Sequence, residues 1–237
     1  MAIISVHLPK TAGTSFGVSL AAHFGDRFRG DNGDQAIAKP LTERWQQATS
    51  AGLLLAAQGL GDVACVHGHF LPAKYLPLGQ RCELTFVTWM RDPVARMVSH
   101  YHYWQRSYDE RIAAPHHRRV IEEGWSLQRF CLSQEFRNIY TQYLWMFPLE
   151  KFSFIGISEY FREDFEEFSK QYLATVLPHQ HHNATPRSDA YIDLDAAFLD
   201  TVRDFHAADM ELYAKALRLR RIRCGRASGR ELGEAIS

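Results

Sequence analysis

In "IISVHLPKTAGTSF" (residues 3–16) a lysine and a cluster of small and hydroxyl residues stand directly behind an apolar run. Those types suit an anion. Thr11, Thr14 and Ser15 carry hydroxyl donors, Ala12 and Gly13 let backbone N–H groups come close, and Lys10 adds a mobile positive charge. Between a strand and a helix, such a loop aims free amides and the positive end of the helix dipole at a phosphate. It is not the nucleoside-triphosphate loop, GxxxxGK before Ser or Thr, whose lysine comes late. Here the lysine comes first, and no such lysine follows Gly13.

A second segment, "TFVTWMRDPVARMVSHY" (85–101), puts Arg91 at the end of a buried run and Ser99 eight residues further on. An arginine at a strand tip can clamp a phosphate, and a serine hydroxyl can complete the site. Taken singly, each segment also reads as an ordinary strand-to-helix turn. Thr14 or Ser15 would then cap one helix and Asp92 the other, with Lys10 solvated and Arg91 in a surface ion pair. Two anion sites at adjacent strand ends suit a ligand with phosphates at both ends of a nucleoside. Between them, "VHGHF" (66–70) supplies His67 and His69, which titrate near neutral pH and suit general-base work. Two residues apart on a strand they share a face; the alternative is a pair bonding the backbone around Gly68.

The elements that must carry these residues follow from the apolar pattern. Strands are expected over 2–7, 63–70, 82–90 and 151–158, the last three as short or continuous apolar runs of buried type. Helices are expected from about Ser15 to Phe24, over 41–58, from Pro93 at its first position, over 162–177, and from about Leu194 to Arg223. Residues 25–40 and 178–189 read as loops, and 105–150 as helical and aromatic. The alternation predicts a three-layer α/β domain, 1–237, with a central, mainly parallel sheet flanked by helices.

Composition bounds the rest. At 46% hydrophobic and 23% charged, the 237 residues read as one soluble globular domain. Lys+Arg and Asp+Glu are 27 each, so no global field favours nucleic acid or a membrane, and an anion site must be built locally. Cys65, Cys82, Cys131 and Cys224 form no CxxC pair, which speaks against a zinc site or disulfide framework. No stretch approaches the roughly 20 apolar residues of a membrane span, and no signal-peptide order is present. A cytoplasmic location is expected. The arginines at 218–230 read as a solvated helix end.

With these residues in place, the chain resembles the sulfotransferases that use 3′-phosphoadenosine 5′-phosphosulfate (PAPS). "LPKTAGTSF" matches that family's PKTxxTS-like loop for the 5′-phosphosulfate, and "RDPVARMVSHY" its RDPxxRxxSxY-like segment for the 3′-phosphate. His67 and His69 match the His-Gly-His of the carbohydrate branch, most similar to the heparan sulfate and uronyl 2-O-sulfotransferases. The resemblance implies a P-loop-like fold and transfer of a sulfuryl group to a hydroxyl, probed first on saccharides, without a metal. It implies that Lys10, Thr11, Ala12, Gly13, Thr14, Ser15 and Phe16 hold the 5′ end, and Arg91 and Ser99 the 3′ end. Lys10 would also stabilise the departing phosphate. His67 or His69 would be the base, with His69 nearer the strand's carboxyl end. Thr185 and Ser188 would close over the nucleotide, and Asn138 and Gln142 would meet the acceptor. Competing readings are a nucleotide-dependent kinase or hydrolase, which a chelator would inhibit, and a nucleotide-binding domain without turnover.

Overall fold

The computed structural model describes residues 1–34, 39–175 and 194–234, with side chains through 225. Five strands, β1 (Ala2–Val6), β2 (Phe28–Gly30), β3 (Cys65–Gly68), β4 (Leu84–Met90) and β5 (Phe154–Ile157), form one parallel sheet in the order β2-β3-β1-β4-β5. Successive side chains alternate between two buried faces, as the period of a strand dictates. Ile4, Val6, Val66, Phe86, Ile155 and Ile157 enter one core, while Ile3, Cys65, Val87, Trp89 and Phe154 enter the other. The first core is covered by α6 (Ile139–Tyr143) and α9 (Ala207–Glu234), with α2 (Leu41–Gln58) packed at its margin. The second is covered by α1 (Gly13–Phe24) and α7 (Phe161–Tyr172). The expected three-layer α/β architecture with a parallel sheet is what the chain adopts. A third apolar cluster, including Met97, Trp104, Val120, Phe130 and Val202, joins α3 (Pro93–Arg106), α4 (Pro115–Glu122), α5 (Leu127–Cys131) and α8 (Ala196–Phe205).

Three expectations need correction. Residues 25–40 are not all loop: β2 extends the sheet by pairing Phe28 with Cys65, and three residues are too few to leave a periodic signal. The last helix is two, broken at His206, whose buried ring hydrogen-bonds the Cys131 carbonyl at 2.8 Å and accepts from the Asn138 N–H at 3.2 Å. The C-terminal arginines are not all solvated. Arg220 and Arg223 pair with fully buried Asp164 at 2.8 and 3.0 Å, binding α9 to α7. No helix among the described residues is long and apolar enough to cross a membrane.

The chain leaves β1 toward β2 and β3 on one side, then returns to β4 and β5 on the other. The loops after β1, β3 and β4 therefore meet at the carboxyl ends of neighbouring strands, at a topological switch point where open parallel sheets bind ligands.

Candidate functional site

The loop after β1 is strained. Lys10 and Ala12 both have positive φ, 64° and 66°, with Thr11 outside that region between them. Such conformations cost residues other than glycine about 1–3 kcal/mol each and collect at functional sites. The alternation turns successive N–H groups to one side, the backbone form of an anion nest. Helix α1 starts at Gly13 with Ala12 as its N-cap, so neither Thr14 nor Ser15 caps it, and no side chain does. Its first-turn donors are thereby offered to the space before the helix. Gly13 is required: a Cβ there would lie 2.0 Å from the His7 ring.

Two loop residues are placed otherwise than expected. The Thr11 hydroxyl is buried and donates to the Leu8 carbonyl at 2.8 Å, so it braces the loop from within. Phe16 is core: its ring packs edge-on against Trp89 and Phe168, at 5.3 and 5.0 Å, and its N–H donates to Ala12. Neither side chain has a group to offer a ligand. Ala12 and Thr14 are exposed.

Three cations converge here. Lys10 Nζ lies 3.9 Å from the centre of the Tyr103 ring. Burial, then repulsion from Arg91 and Arg106, pushes the Lys10 pKa down to about 8. Among the described residues no carboxylate pairs with Lys10, Arg91 or Arg106. Arg91 stands at the tip of β4, its N–H donating to the Tyr140 hydroxyl at 3.0 Å and its carbonyl accepting that hydroxyl's proton at 2.7 Å. Asp92 caps α3 by accepting from the Ala95 N–H at 2.9 Å, with Pro93 at the first helical position as expected. Ser99, Tyr103 and Arg106 are spaced i, i+4, i+7 on α3 and share one face. Tyr103 and Arg106 were not among the expected site residues, although that spacing from Ser99 points to them.

The two histidines flank the same His7 ring but are held by different partners. His67 turns toward α1, where its Nδ1 shares a 2.8 Å hydrogen bond with the Ser5 hydroxyl and its ring bonds the Gly13 backbone. A Cβ on Gly17 would lie 2.6 Å from its Nε2. Nδ1 is thus committed to the fold and Nε2 lies against α1, and burial, with His69 beside it, brings its pKa to about 4. His69 lies just beyond β3 and is partly exposed. Its Nδ1 donates to the His7 carbonyl at 2.7 Å, its N–H donates to Asn32 at 3.0 Å, and Nε2 remains the basic nitrogen. Gly68 separates the two because its φ is +155° and a Cβ there would strike the Asp31 carbonyl. The loop 31–34 that receives His69 is pinned by Lys74, 2.7 Å from Asp31 and 2.9 Å from Asp34. His7, absent from the expected site, stacks on His69 with ring centres 4.1 Å apart.

Burial, partly offset by the bond to His7, lowers the His69 pKa; burial, then His69 and His67, lowers that of His7 far more. Burial likewise depresses His100 and His206, the latter to about 4. Unfolded histidines bind protons near 6.5, which the folded ones refuse, so stability is lost as pH falls through this window. Each unit of depression is worth about 1.4 kcal/mol. We expect the melting temperature to fall steeply between pH 6.5 and about 4; a flat profile there would contradict the buried placement.

Beyond His69, the Tyr143 ring lies 6.2 Å away, and the Arg44 guanidinium lies 5.4 Å from that ring. Arg44 is fully buried, donates through Nε to the Asp34 carbonyl, and among the described residues has no hydrogen-bond partner at Nη1 or Nη2. On the surface Trp45 stacks on Trp145 at 4.7 Å, beside a shallow, open depression of about 440 Å³ bordered by Thr42, Gln46, Thr49 and Ser50. Asn138 and Gln142 are turned to other work. Asn138 Oδ1 accepts from the Asp209 N–H at 3.3 Å, and Gln142 donates to the Arg137 carbonyl at 2.8 Å. The residue of α6 that faces His69 is Tyr143. Thr185 and Ser188 lie outside the described residues.

No family model and no curated protein matches the chain. Among solved structures it is similar to a sulfotransferase from Alicyclobacillus acidocaldarius, at 14% identity over 89% of this chain and 92% of that one, with a TM-score of 0.47. It is also similar to mouse sulfotransferase SULT7A1 complexed with PAP, at 13% identity over 88% of this chain and 65% of that one, with a TM-score of 0.36. The functional reading rests on the site's own residues.

Proposed function

We infer that this chain moves the sulfuryl group of PAPS to a hydroxyl of an acceptor, a saccharide being the class to test first. One observation carries the reading: Lys10, just past β1, has Arg91 at the tip of β4 and Arg106 at the C-terminal end of α3 as charged neighbours, with no carboxylate paired to any of the three among the described residues, beside a strained loop of amides. Clustered like charges at this cost are organised for a polyanion. Lys10, the amides from Ala12 to Ser15 and the N-terminus of α1 fit a 5′-phosphosulfate. Arg91 and Ser99 fit a 3′-phosphate. The donor supplies an activated sulfur.

The chain's residues then have separate tasks. His69 Nε2 takes the proton of the attacking hydroxyl, because its Nδ1–H is held by the His7 carbonyl. Lys10 neutralises the charge that develops on the departing phosphate. Tyr143, 6.2 Å from His69, and the stacked Trp45 and Trp145 offer aromatic faces on which an acceptor ring could pack.

Calorimetry with adenosine 3′,5′-bisphosphate is the direct test: saturable binding is expected, and no heat at any concentration would overturn the reading. Arg91→Ala and Ser99→Ala should weaken that binding, the arginine by about 10–100-fold, the worth of one charge-assisted hydrogen bond. Unchanged affinity in both removes them from the 3′ end. The lowered Lys10 pKa gives a further signature. A phosphate restores the proton that Lys10 tends to lose above pH 8, so binding near pH 8.5 takes up protons and weakens as pH rises. Titrations in buffers of different ionisation enthalpy read this uptake; equal heats in all of them would place Lys10 away from the ligand.

A further inference from the structure

His7 sits where the two halves of the site touch, and the mechanism above gives its side chain no task. On one side its imidazole stacks on His69, centres 4.1 Å apart and planes 21° apart, while its carbonyl accepts the His69 Nδ1–H at 2.7 Å. On the other, its ring abuts Gly13, where a Cβ would fall 2.0 Å from Cδ2 and 2.2 Å from Nε2. It also stacks at 5.2 Å on His67, itself bonded to the Gly13 backbone. Its own backbone N–H is held by the Gly68 carbonyl at 2.8 Å, so the peptide between base and loop has little freedom. A ring so placed cannot move without moving both the base and the first residue of α1.

We propose that His7 is a positioning residue: its flat ring, wedged between Gly13 and His69, sets the plane of the His69 imidazole against the phosphate loop, so that the proton acceptor and the donor site are held in one register. This rests on the sulfuryl-transfer reading and adds a residue that the reading does not need. The ring works by shape and contact, and its nitrogens transfer no proton. The groups that bear on His69 from the packed elements are His7 on the chain leaving β1, His67 on β3, His100 on α3 and Tyr143 on α6. Lys10 acts on two of these, His7 and His100. Histidine and phenylalanine can both present the plane; leucine fills similar space without one.

The test compares His7→Leu with His7→Phe, with folding checked by circular dichroism and melting. For His7→Leu, kcat should fall by up to about 100-fold, the cost of a misplacement on the ångström scale. Affinity for adenosine 3′,5′-bisphosphate should stay within about threefold of wild type, comparable to 0.7 kcal/mol or less. The acid limb of kcat/KM should move toward pH 6.5 as the released His69 ring gains water. His7→Phe should restore most of kcat and return the acid limb to its wild-type position. Should His7→Leu not fold, His7→Gln, which is also without a ring, takes its place. Wild-type kcat and acid limb in the leucine or glutamine variant would overturn the proposal. So would a phenylalanine variant as impaired as leucine, since a nitrogen would then be doing the work, or a loss confined to nucleotide affinity. Failure of the wild-type chain to bind the bisphosphate would instead remove the sulfuryl-transfer reading itself, so the two failures are told apart.

Discussion

Lys10→Ala should lower sulfuryl transfer by about 10³-fold, the upper range for removing one group that stabilises developing charge, while the protein remains folded. The two halves of this expectation have one cause. Lys10 has Arg91 and Arg106 for charged neighbours and no carboxylate partner among the described residues, so its positive charge works against the fold and its removal relieves that strain. Against that relief, the folded state loses the cation–π contact of the ammonium with the Tyr103 ring, worth about 0.5–1 kcal/mol. A melting temperature close to that of wild type is therefore expected beside the loss of turnover. Lys10→Arg should recover part of the rate, because charge returns but the compact ammonium does not. Single-turnover assays with labelled donor separate the chemical step from release. A Lys10→Ala protein within about threefold of wild type would remove Lys10 from the reaction.

His69→Ala should cost about 10²–10⁴-fold in kcat, the range for a positioned general base, and His67→Ala should not. His67 spends one nitrogen on Ser5 and packs the other against α1, so its loss should be read chiefly in the melting temperature. His69 has a nitrogen left over. The base must be neutral to work, and burial holds the His69 pKa below 6.5. Activity should accordingly persist at pH 6.5 and disappear as the pH falls through the lowered value, with added imidazole restoring part of the His69→Ala loss. A normal rate in His69→Ala, together with a collapsed rate in His67→Ala, would exchange the two assignments.

Much of the scaffold could be read before any coordinates. β1, β4 and β5 announced themselves because a strand buried on both faces is apolar at most positions, and the runs 2–6, 84–90 and 154–157 are, apart from Ser5, Thr85 and Thr88. Asp92-Pro93 marked the start of α3 because both residues act within a single turn. β2 escaped notice because its three residues are held by pairing with β3 rather than by any pattern of their own. The break at His206 was hidden for a like reason: a buried bond to Cys131, 75 residues away, draws that residue inward.

At the site the same division holds. The order of residues in the loop at 10–15 and the tip at 91–99 establishes what kind of ligand they suit, because a hydroxyl, a small residue and a cation act through their own chemistry wherever the turn places them. Which of those groups actually faces outward is not contained in the order. Thr11 bends back to Leu8, Phe16 joins the core, and Asn138 and Gln142 brace α6. The distinction between His67 and His69 rests on Ser5 and on the His7 carbonyl, each 62 residues distant along the chain. Local sequence determined the chemistry on offer; the choice among its members was made by hydrogen bonds and close contacts that exist only once β1, β3 and α1 lie side by side.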